Sequence, residues 1–462
     1  MTAWKPDVPA GDAPLYERIA DAIECDIRDG TLPPGVRLPP HRDLAHVLSV
    51  SIGTITKAYG EAERRGLLFG HVGRGSFVAG DGRPHPSSAP DGTVDLARNL
   101  PAGGPGAKHF AEALARLRRR PDLALAAEYA PPEGLEVVRR IGAEWLRRRH
   151  GMEDVSVNDI IQTNGGQHAL ALVFGALCRP GDMILCEAAT FHGAKTLAEV
   201  GSYRLHGVEL DAGGLKPASL EKAIVETEAR ILYTIPTLQN PTTITMSASR
   251  RKQVATIARK HNVLIVEDEA YRAIASLEDR PPTFAELAPE RTIHVATVSK
   301  AFSPGLRLGF LRAPNAVVRD QILRHVRATG YAPPALGALV FSQWVEDGTA
   351  DLIADQIVED ARNRFDVAKR ILGSAIATAG SRQSLHVWLP MSPLEAERTA
   401  GRALRAGVEV TPPDAPIVAA DKISGLRICL GGAASLAVLE SALTVIAQSL
   451  QAEVSRQGRA VV

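Results

Sequence analysis

Two folded units of different class are predicted from this sequence: a small α+β module of short helices and a hairpin over residues 1–79, and a large α/β unit over residues 94–462. Three observations carry the prediction. Leu15, Ile19, Ala22, Ile23 and Ile27 recur at helical spacing on one face, and the short segments after them end in an apolar alternation around Gly73, Arg74 and Gly75. Farther on, the run VLIV at 263–266 closes on acidic residues, as a strand buried in a parallel sheet does, and the carboxyl end of such a strand is where α/β folds place chemistry. Between the two, GDGRPHPSSAPDGT at 80–93 is rich in glycine, proline and serine and reads as a linker.

The chain has 462 residues, 45% of them hydrophobic, and a net charge of +1, which is enough for one small and one large core. No apolar run approaches the roughly 20 residues of a membrane span, and the start MTAWKPDVPAGDAP lacks a charged-then-apolar signal pattern. A cytoplasmic protein without membrane contact is expected. Cys25, Cys178, Cys186 and Cys429 lie far apart, with neither zinc-site spacing nor the density of a disulfide scaffold, so they are expected to be buried small hydrophobes. No metal site is expected, because the histidines form no ligand cluster either; His168 alone lies beside a motif, and its simplest reading is a solvent-facing residue.

In the first module, residues 15–29 form a helix that Gly30 ends. After the turn TLPPGVRLPP, HRDLAHVLS forms a short helix and SVSIGTITKAYGEAERRG a second one, with Ser51 as N-cap and Gly66 as C-terminal stop. Two short helices in tandem, the second presenting threonines and a lysine, make a helix-turn-helix pattern. LLFGHVGRGSFVAG at 67–80 reads as a hairpin wing with Arg74 at its tip. Asp21, Glu24, Asp26 and Asp29 make the first eighty residues slightly acidic. Between 35 and 80, however, Arg37, Arg42, Lys57, Arg64, Arg65 and Arg74 outnumber Asp43, Glu61 and Glu63, six against three, which is the polarity that phosphate neutralisation needs. Arg64 and Arg65 equally suit the dipole at a helix C-terminus. Arg37, Arg42, Ser51, Thr54, Thr56, Lys57 and Arg74 are therefore the residues expected at operator DNA.

Gly35, Leu38, Pro39, Arg42, Leu44, Ala45, Arg74, Gly75, Phe77 and Val78 follow a pattern that resembles the winged-helix domain of the GntR regulators. Pro40 and His41 replace the small hydroxyl pair usual there, and Ile52-Gly53 stand where an arginine is common at the start of the recognition helix.

In the large unit, TVSKAFSPGLRLGF at 297–310 sets a lysine after two hydroxyl residues and before a Pro-Gly turn and an arginine. A Schiff base needs an amine held against a cofactor aldehyde, and the cofactor phosphate needs hydroxyl and guanidinium donors close by. Lys300 supplies the amine and Thr297, Ser299 and Arg307 the donors, which is the layout of a pyridoxal 5'-phosphate site. At this point, and at further segments in order from about Val94 onward, the sequence resembles the fold-type-I aminotransferases of the aspartate and kynurenine aminotransferase group.

TNGGQHAL at 163–170 follows an alternating stretch, Asp159 to Thr163; its small residues free backbone N–H groups at a helix N-terminus, with Gly165, Gly166 and Gln167 as the phosphate cradle. In MILCEAATFHG at 183–193 the resemblance implies that Phe191 stacks on the pyridine ring, with Ala189 where many families carry a proline. LYTIPTLQNPTTITM at 232–246 resembles an Asn-Pro-Thr-Gly signature with Thr243 for the glycine, implying that Asn240 donates its amide to the cofactor's phenolic oxygen. In VLIVEDEAYRAI at 263–274 it implies that Asp268 keeps the pyridine nitrogen protonated and that Tyr271 shares the phenolic oxygen, while Glu267 and Glu269 read as solvated or capping charges. Arg427, in GLRICLGG, matches an arginine that grips a substrate carboxylate with a bidentate fork. Tyr129, in EYAPPEGLEVVRR, matches a tyrosine that reaches the phosphate of a neighbouring subunit.

A GntR-like winged helix ahead of an aminotransferase-like domain resembles the MocR subfamily. That resemblance implies a pyridoxal-phosphate-dependent transcription regulator that senses a small amino acid or amine when the effector displaces Lys300 to form an external aldimine. It also implies a homodimer with head-to-tail winged helices, suited to a repeated or palindromic operator. Two alternatives stay open: a working aminotransferase carrying a DNA-binding module, since the residues for transamination are present, and a regulator whose signal is the cofactor itself.

Overall fold

The computed structural model describes residues 4–451 apart from 10, 12, 30, 33–35, 66, 72–74, 79–92, 103, 105, 276–279 and 379–380. The expectations at Gly30, Gly35, Gly66, Gly73 and Arg74, and all of the linker but Thr93, lie outside the described residues. The chain divides into two compact units, one of residues 1–85 with 106–109 and one of residues 86–105 with 110–462.

The first unit holds α1 (Leu15–Arg28), α2 (His41–Leu48) and α3 (Ile52–Arg64), followed by β1 (Leu68–His71) antiparallel to β2 (Gly75–Val78), with Phe69 opposite Phe77. Its core is the apolar face that the sequence pattern outlines: Ile19 and Ile23 of α1, Leu44 of α2, Ile55 and Tyr59 of α3, and Leu68 and Val78 of the strands are buried. Each such aliphatic side chain contributes about 1.5–3 kcal/mol by leaving water. A left-handed Ser49 (φ 53°) ends α2, and the Ser51 side chain caps α3 by accepting from the Thr54 N–H at 3.1 Å. Tyr59 spends its hydroxyl on the Pro39 carbonyl at 2.9 Å. Arg65 pairs with Glu61 at 2.8 Å and Asp21 at 2.5 Å, so it ties the end of α3 to α1.

The second unit is built on a seven-stranded sheet. Its strands are β3 (Ile160–Thr163), β4 (Met183–Glu187), β5 (Arg204–Val208), β6 (Ile231–Thr234), β7 (Leu264–Asp268), β8 (Thr292–Thr297) and β9 (Gly309–Arg312), in the spatial order β3-β9-β8-β7-β6-β4-β5. All neighbours are parallel except β9, which runs antiparallel to both β8 and β3. Every residue of β3 is buried, so the stretch expected to alternate is instead covered on both faces, as strands inside a two-faced sheet are. Two small strand pairs, His386–Pro390 with Gly425–Cys429 and Val94–Leu96 with Val408–Val410, pack with the helix Leu436–Gln451 over a second core that includes Leu426, Ile428 and Leu443.

Two sequence expectations are corrected. Cys186 and Cys429 are buried, but Cys178 is only partly so and Cys25 is exposed. Glu267 and Glu269 are not solvated: both are fully buried, and a buried carboxylate requires partners. Glu269 meets Arg251 at 3.0 Å and Thr237 at 3.0 Å. Glu267 accepts from the Phe284 N–H at 2.6 Å, a capping contact, and from His294 Nδ1 at 2.9 Å. No helix among the described residues is long and apolar enough to cross a membrane.

Candidate functional site

A cavity of about 180 Å³ opens where β6, β7 and β8 end at their carboxyl edge, and most of the residues singled out from the sequence line it. One group of lining residues is Gly166, Gln167, Thr297, Ser299 and Arg307; the other is Phe191, Asn240, Asp268 and Tyr271, and Lys300 lines the same cavity.

The first group is a set of hydrogen-bond donors. Gly165 is the N-cap of the helix Gly166–Leu177 and offers no side chain, so the first-turn N–H groups are left to the cavity. Its φ of +83° suits glycine, and an added Cβ would lie 3.1 Å from Arg307 Nη2. Arg307, itself left-handed at φ 48°, donates to the Asn164 carbonyl at 3.0 Å. The hydroxyls of Thr297 and Ser299 are 3.0 Å apart. Gln167 Nε2 donates to the Gly193 carbonyl at 2.9 Å, while its Oε1 is buried with no partner. Uncapped amides, two hydroxyls and a guanidinium are the donors a phosphate dianion needs. His168 is half-buried, not simply solvent-facing: its Nδ1 accepts from the Asn164 N–H at 3.0 Å, and burial holds its pKa below the usual histidine value.

In the other group, Asp268 finishes β7 and is 6% exposed. Its carboxylate accepts from Tyr233 Oη at 2.8 Å and the Ala270 N–H at 3.1 Å, and burial pushes its pKa up to about 6. A cationic ring nitrogen set against it would relieve that cost. Tyr271 Oη accepts from Asn99 Nδ2 at 2.8 Å, and burial raises the phenol above its ordinary value. Lys300 Nζ donates to the Asn99 carbonyl, and burial lowers the amine to about 8, helped by the cation of Arg427 and opposed by Asp268. The donor set, the buried carboxylate and the half-buried lysine together fit pyridoxal phosphate.

Arg427 is buried beside the cavity, and its guanidinium bonds Asn240 Oδ1 at 2.8 Å, Thr411 Oγ1 at 3.0 Å and the Ala97 carbonyl at 3.1 Å. Asn240 thereby has its oxygen occupied and its amide nitrogen left to donate. Tyr129 is not brought to the cavity by this chain: it is 85% exposed and stands edge-on to Tyr331 at 5.0 Å. Asn99 and Tyr233 were missed by sequence reasoning. Tyr233 carried one signal, a tyrosine inside an otherwise apolar strand, whose hydroxyl must find a buried partner. Asn99 carried none.

On the first unit, Arg37, Arg42, Ser51, Thr56 and Lys57 are exposed. Thr54 is half-buried, its hydroxyl 2.8 Å from that of Ser51. Thr56 Oγ1 donates to the Ile52 carbonyl at 3.0 Å and lies 3.3 Å from His41 Nδ1, while the His41 ring stands edge-on to Tyr59 at 4.8 Å. The residue that departs from the expected hydroxyl pair thus braces α2 against α3.

Residues 91–446 match the family of class I and II aminotransferases, and residues 15–78 match the gntR family of bacterial regulatory proteins. Over 317 residues, 68% of this chain and 67% of the relative, the sequence is 34% identical to an HTH-type transcriptional regulator of Bacillus subtilis. Over 429 residues, 86% of this chain and 91% of the relative, it is 24% identical to one of Escherichia coli. The crystal structure of an archaeal alanine:glyoxylate aminotransferase matches with a TM-score of 0.71 at 25% identity, covering 78% of this chain and 91% of that one.

Proposed function

Because this chain belongs to the MocR-type regulators, a gntR-family DNA-binding domain joined to a class I and II aminotransferase domain that takes pyridoxal phosphate, we propose that its large unit senses a small amino compound and thereby sets DNA binding by the first. The observation that carries the reading is a half-buried lysine lining a cavity rich in phosphate donors, in the same chain as a helix-turn-helix that presents Arg42, Thr56 and Lys57 to solvent. When bound, the cofactor supplies an aldehyde carbon that takes a primary amine into a C=N linkage with loss of water, and a ring nitrogen that draws electrons.

The chain's own residues do the rest. The N-terminus of the helix Gly166–Leu177, with Thr297, Ser299 and Arg307, binds the dianion. Asp268, oriented by Tyr233, accepts the ring N–H, and Phe191 walls the ring. Asn240 donates to the phenolic oxygen from its amide nitrogen, and Tyr271 from its hydroxyl. Burial penalises the ammonium form of Lys300, so a larger share of its amine is neutral than in an ordinary lysine. Arg427 receives the effector's carboxylate by giving up protein acceptors, so differential affinity for a rearranged site is available to drive a response.

The proposal takes residues 1–79 as the DNA-binding domain, 80–93 as linker and 94–462 as the sensing domain. It places the protein in the cytoplasm as a head-to-tail homodimer, whose second subunit would give the outward-facing Tyr129 its phosphate. The test is a DNase footprint of cofactor-loaded protein on the DNA upstream of its own gene, repeated with each amino acid. Discrete protected half-sites that respond to an amino compound are expected. No specific protection, together with steady release of a keto acid, would establish the aminotransferase reading instead.

A further inference from the structure

Two backbone carbonyls on alternate residues hold the two cations of the site. Lys300 Nζ donates to the carbonyl of Asn99. Arg427 Nη2 donates to the carbonyl of Ala97 at 3.1 Å, with Cys429 Sγ and Thr411 Oγ1 as weaker neutral donors at 3.2 Å each. The segment also has anchors that involve neither cation. Asp95 Oδ1 accepts from the N–H groups of Ala97 at 2.9 Å and Arg98 at 3.2 Å, and the Leu100 N–H bonds the Arg98 carbonyl at 3.0 Å. Asn99 Oδ1 is buried with no partner, while Asn99 Nδ2 donates to Tyr271 Oη at 2.8 Å and lies 3.1 Å from His386 Nδ1, contacts that involve neither cation. In sequence Ala97 and Asn99 come just after the strand Val94–Leu96, which follows 80–93, the proposed linker.

We propose that residues 97–99 read the occupancy of the site by exchanging one anchor for the other, an inference that rests on the function proposed above. While the cofactor carbon is bonded to Lys300, Nζ has no ammonium proton to offer Asn99, and of the two cations Arg427 alone still holds the segment, through Ala97. A ligand with both an amine and a carboxylate reverses this. Its nitrogen forms the C=N bond to the cofactor carbon and the bond to Lys300 breaks. The two protons shed by the incoming amine pass to the lysine nitrogen, so no water, oxidant or reductant is consumed. The freed Lys300 amine docks on the Asn99 carbonyl, and the ligand carboxylate draws the Arg427 fork from Ala97. The anchor moves two residues along the chain, toward the body of the sensing domain. A plain amine moves only the lysine and a plain carboxylate only the arginine, so the compound that completes the exchange is an amino acid.

Hydrogen–deuterium exchange resolved to single amides tests this on the full chain. The Arg98 N–H shares its peptide unit with the Ala97 carbonyl and reports the arginine anchor; the Leu100 N–H shares its unit with the Asn99 carbonyl and reports the lysine anchor. Two probes separate the groups without knowledge of the natural effector. Methoxyamine displaces Lys300 and carries no carboxylate, whereas aminooxyacetate displaces it and carries one.

Loading pyridoxal phosphate should speed exchange at Leu100 about five-fold, the factor one hydrogen bond of ordinary net strength supports, and leave Arg98 unchanged. Methoxyamine should return Leu100 to its cofactor-free rate. Aminooxyacetate should do the same and also speed Arg98 about five-fold. In Lys300→Ala, Leu100 should exchange fast in every state. Identical patterns with the two probes, or rates at Arg98 and Leu100 that ignore a visible change at the cofactor, would overturn the exchange of anchors while leaving the sensor reading in place. Failure to form a cofactor absorption band at all would overturn both.

Discussion

The depressed basicity of Lys300 makes a quantitative prediction about how the cofactor-free protein captures pyridoxal phosphate. The perturbation is pH. The attacking species is the neutral amine, and burial lowers Lys300 to about 8 from the ordinary 10.5. At pH 7 roughly one Lys300 in eleven is then neutral, against about one in three thousand for an ordinary lysine, a gain of about 300-fold in reactive form. The sign follows from the direction of the shift. Raising pH from 7 to 9 should speed covalent capture about ten-fold and then level off, because the neutral form saturates above its pKa; an unperturbed lysine would gain about 100-fold with no plateau. Stopped-flow absorbance after mixing with the cofactor, with borohydride reduction and peptide mapping to assign the adduct, gives the profile. Since the Arg427 cation contributes to the shift, Arg427→Ala should move the plateau to higher pH. A capture rate that climbs ten-fold per pH unit through pH 9 would refute the reasoning.

Other outcomes follow from single contacts. Tyr233→Phe removes the 2.8 Å bond to Asp268, pushes that carboxyl further up from about 6, and should weaken cofactor binding about 5- to 15-fold at pH 7 by equilibrium dialysis; an unchanged affinity would remove Tyr233 from the site. Gly165→Ala places a Cβ 3.1 Å from Arg307 at a φ of +83° and should cost about 1–2 kcal/mol, seen as a lower Tm and looser cofactor binding. A variant with wild-type Tm and affinity would show that the turn has room. Lys57→Ala should weaken DNA binding alike on all sequences and reduce the salt slope by about one, with cofactor content unchanged, and an unaltered slope would take Lys57 off the phosphate backbone.

Much of the candidate site was legible because each of its motifs is local. A glycine turn before a helix, an acidic residue at the end of an apolar strand and a lysine between hydroxyls and an arginine carry their geometry within a few residues. The parallel sheet then brings those strand ends to one edge. The first module was legible for the same reason, since the Ile19, Leu44 and Ile55 pattern and the Ser51 cap act within single turns. Local pattern failed where a residue's environment depends on distant chain. Glu267 and Glu269 read as surface charges beside Asp268, yet the sheet buries all three and Arg251, His294 and the Phe284 amide hold the two glutamates.

By itself the sequence determined which chemical groups this protein carries and the local backbone that presents each of them, because propensity, capping and strand periodicity act over a few residues. Tertiary structure alone decided how those groups are loaded. Lys300 meets a carbonyl 201 positions away, Arg427 one 330 positions away, and Asp268 a phenol 35 positions away on the neighbouring strand. Such contacts arise from sheet order and from the approach of residues 97–99 and the strand Gly425–Cys429 to the cavity. Burial there raises the carboxyl and lowers the amine, and desolvation belongs to the assembled cavity.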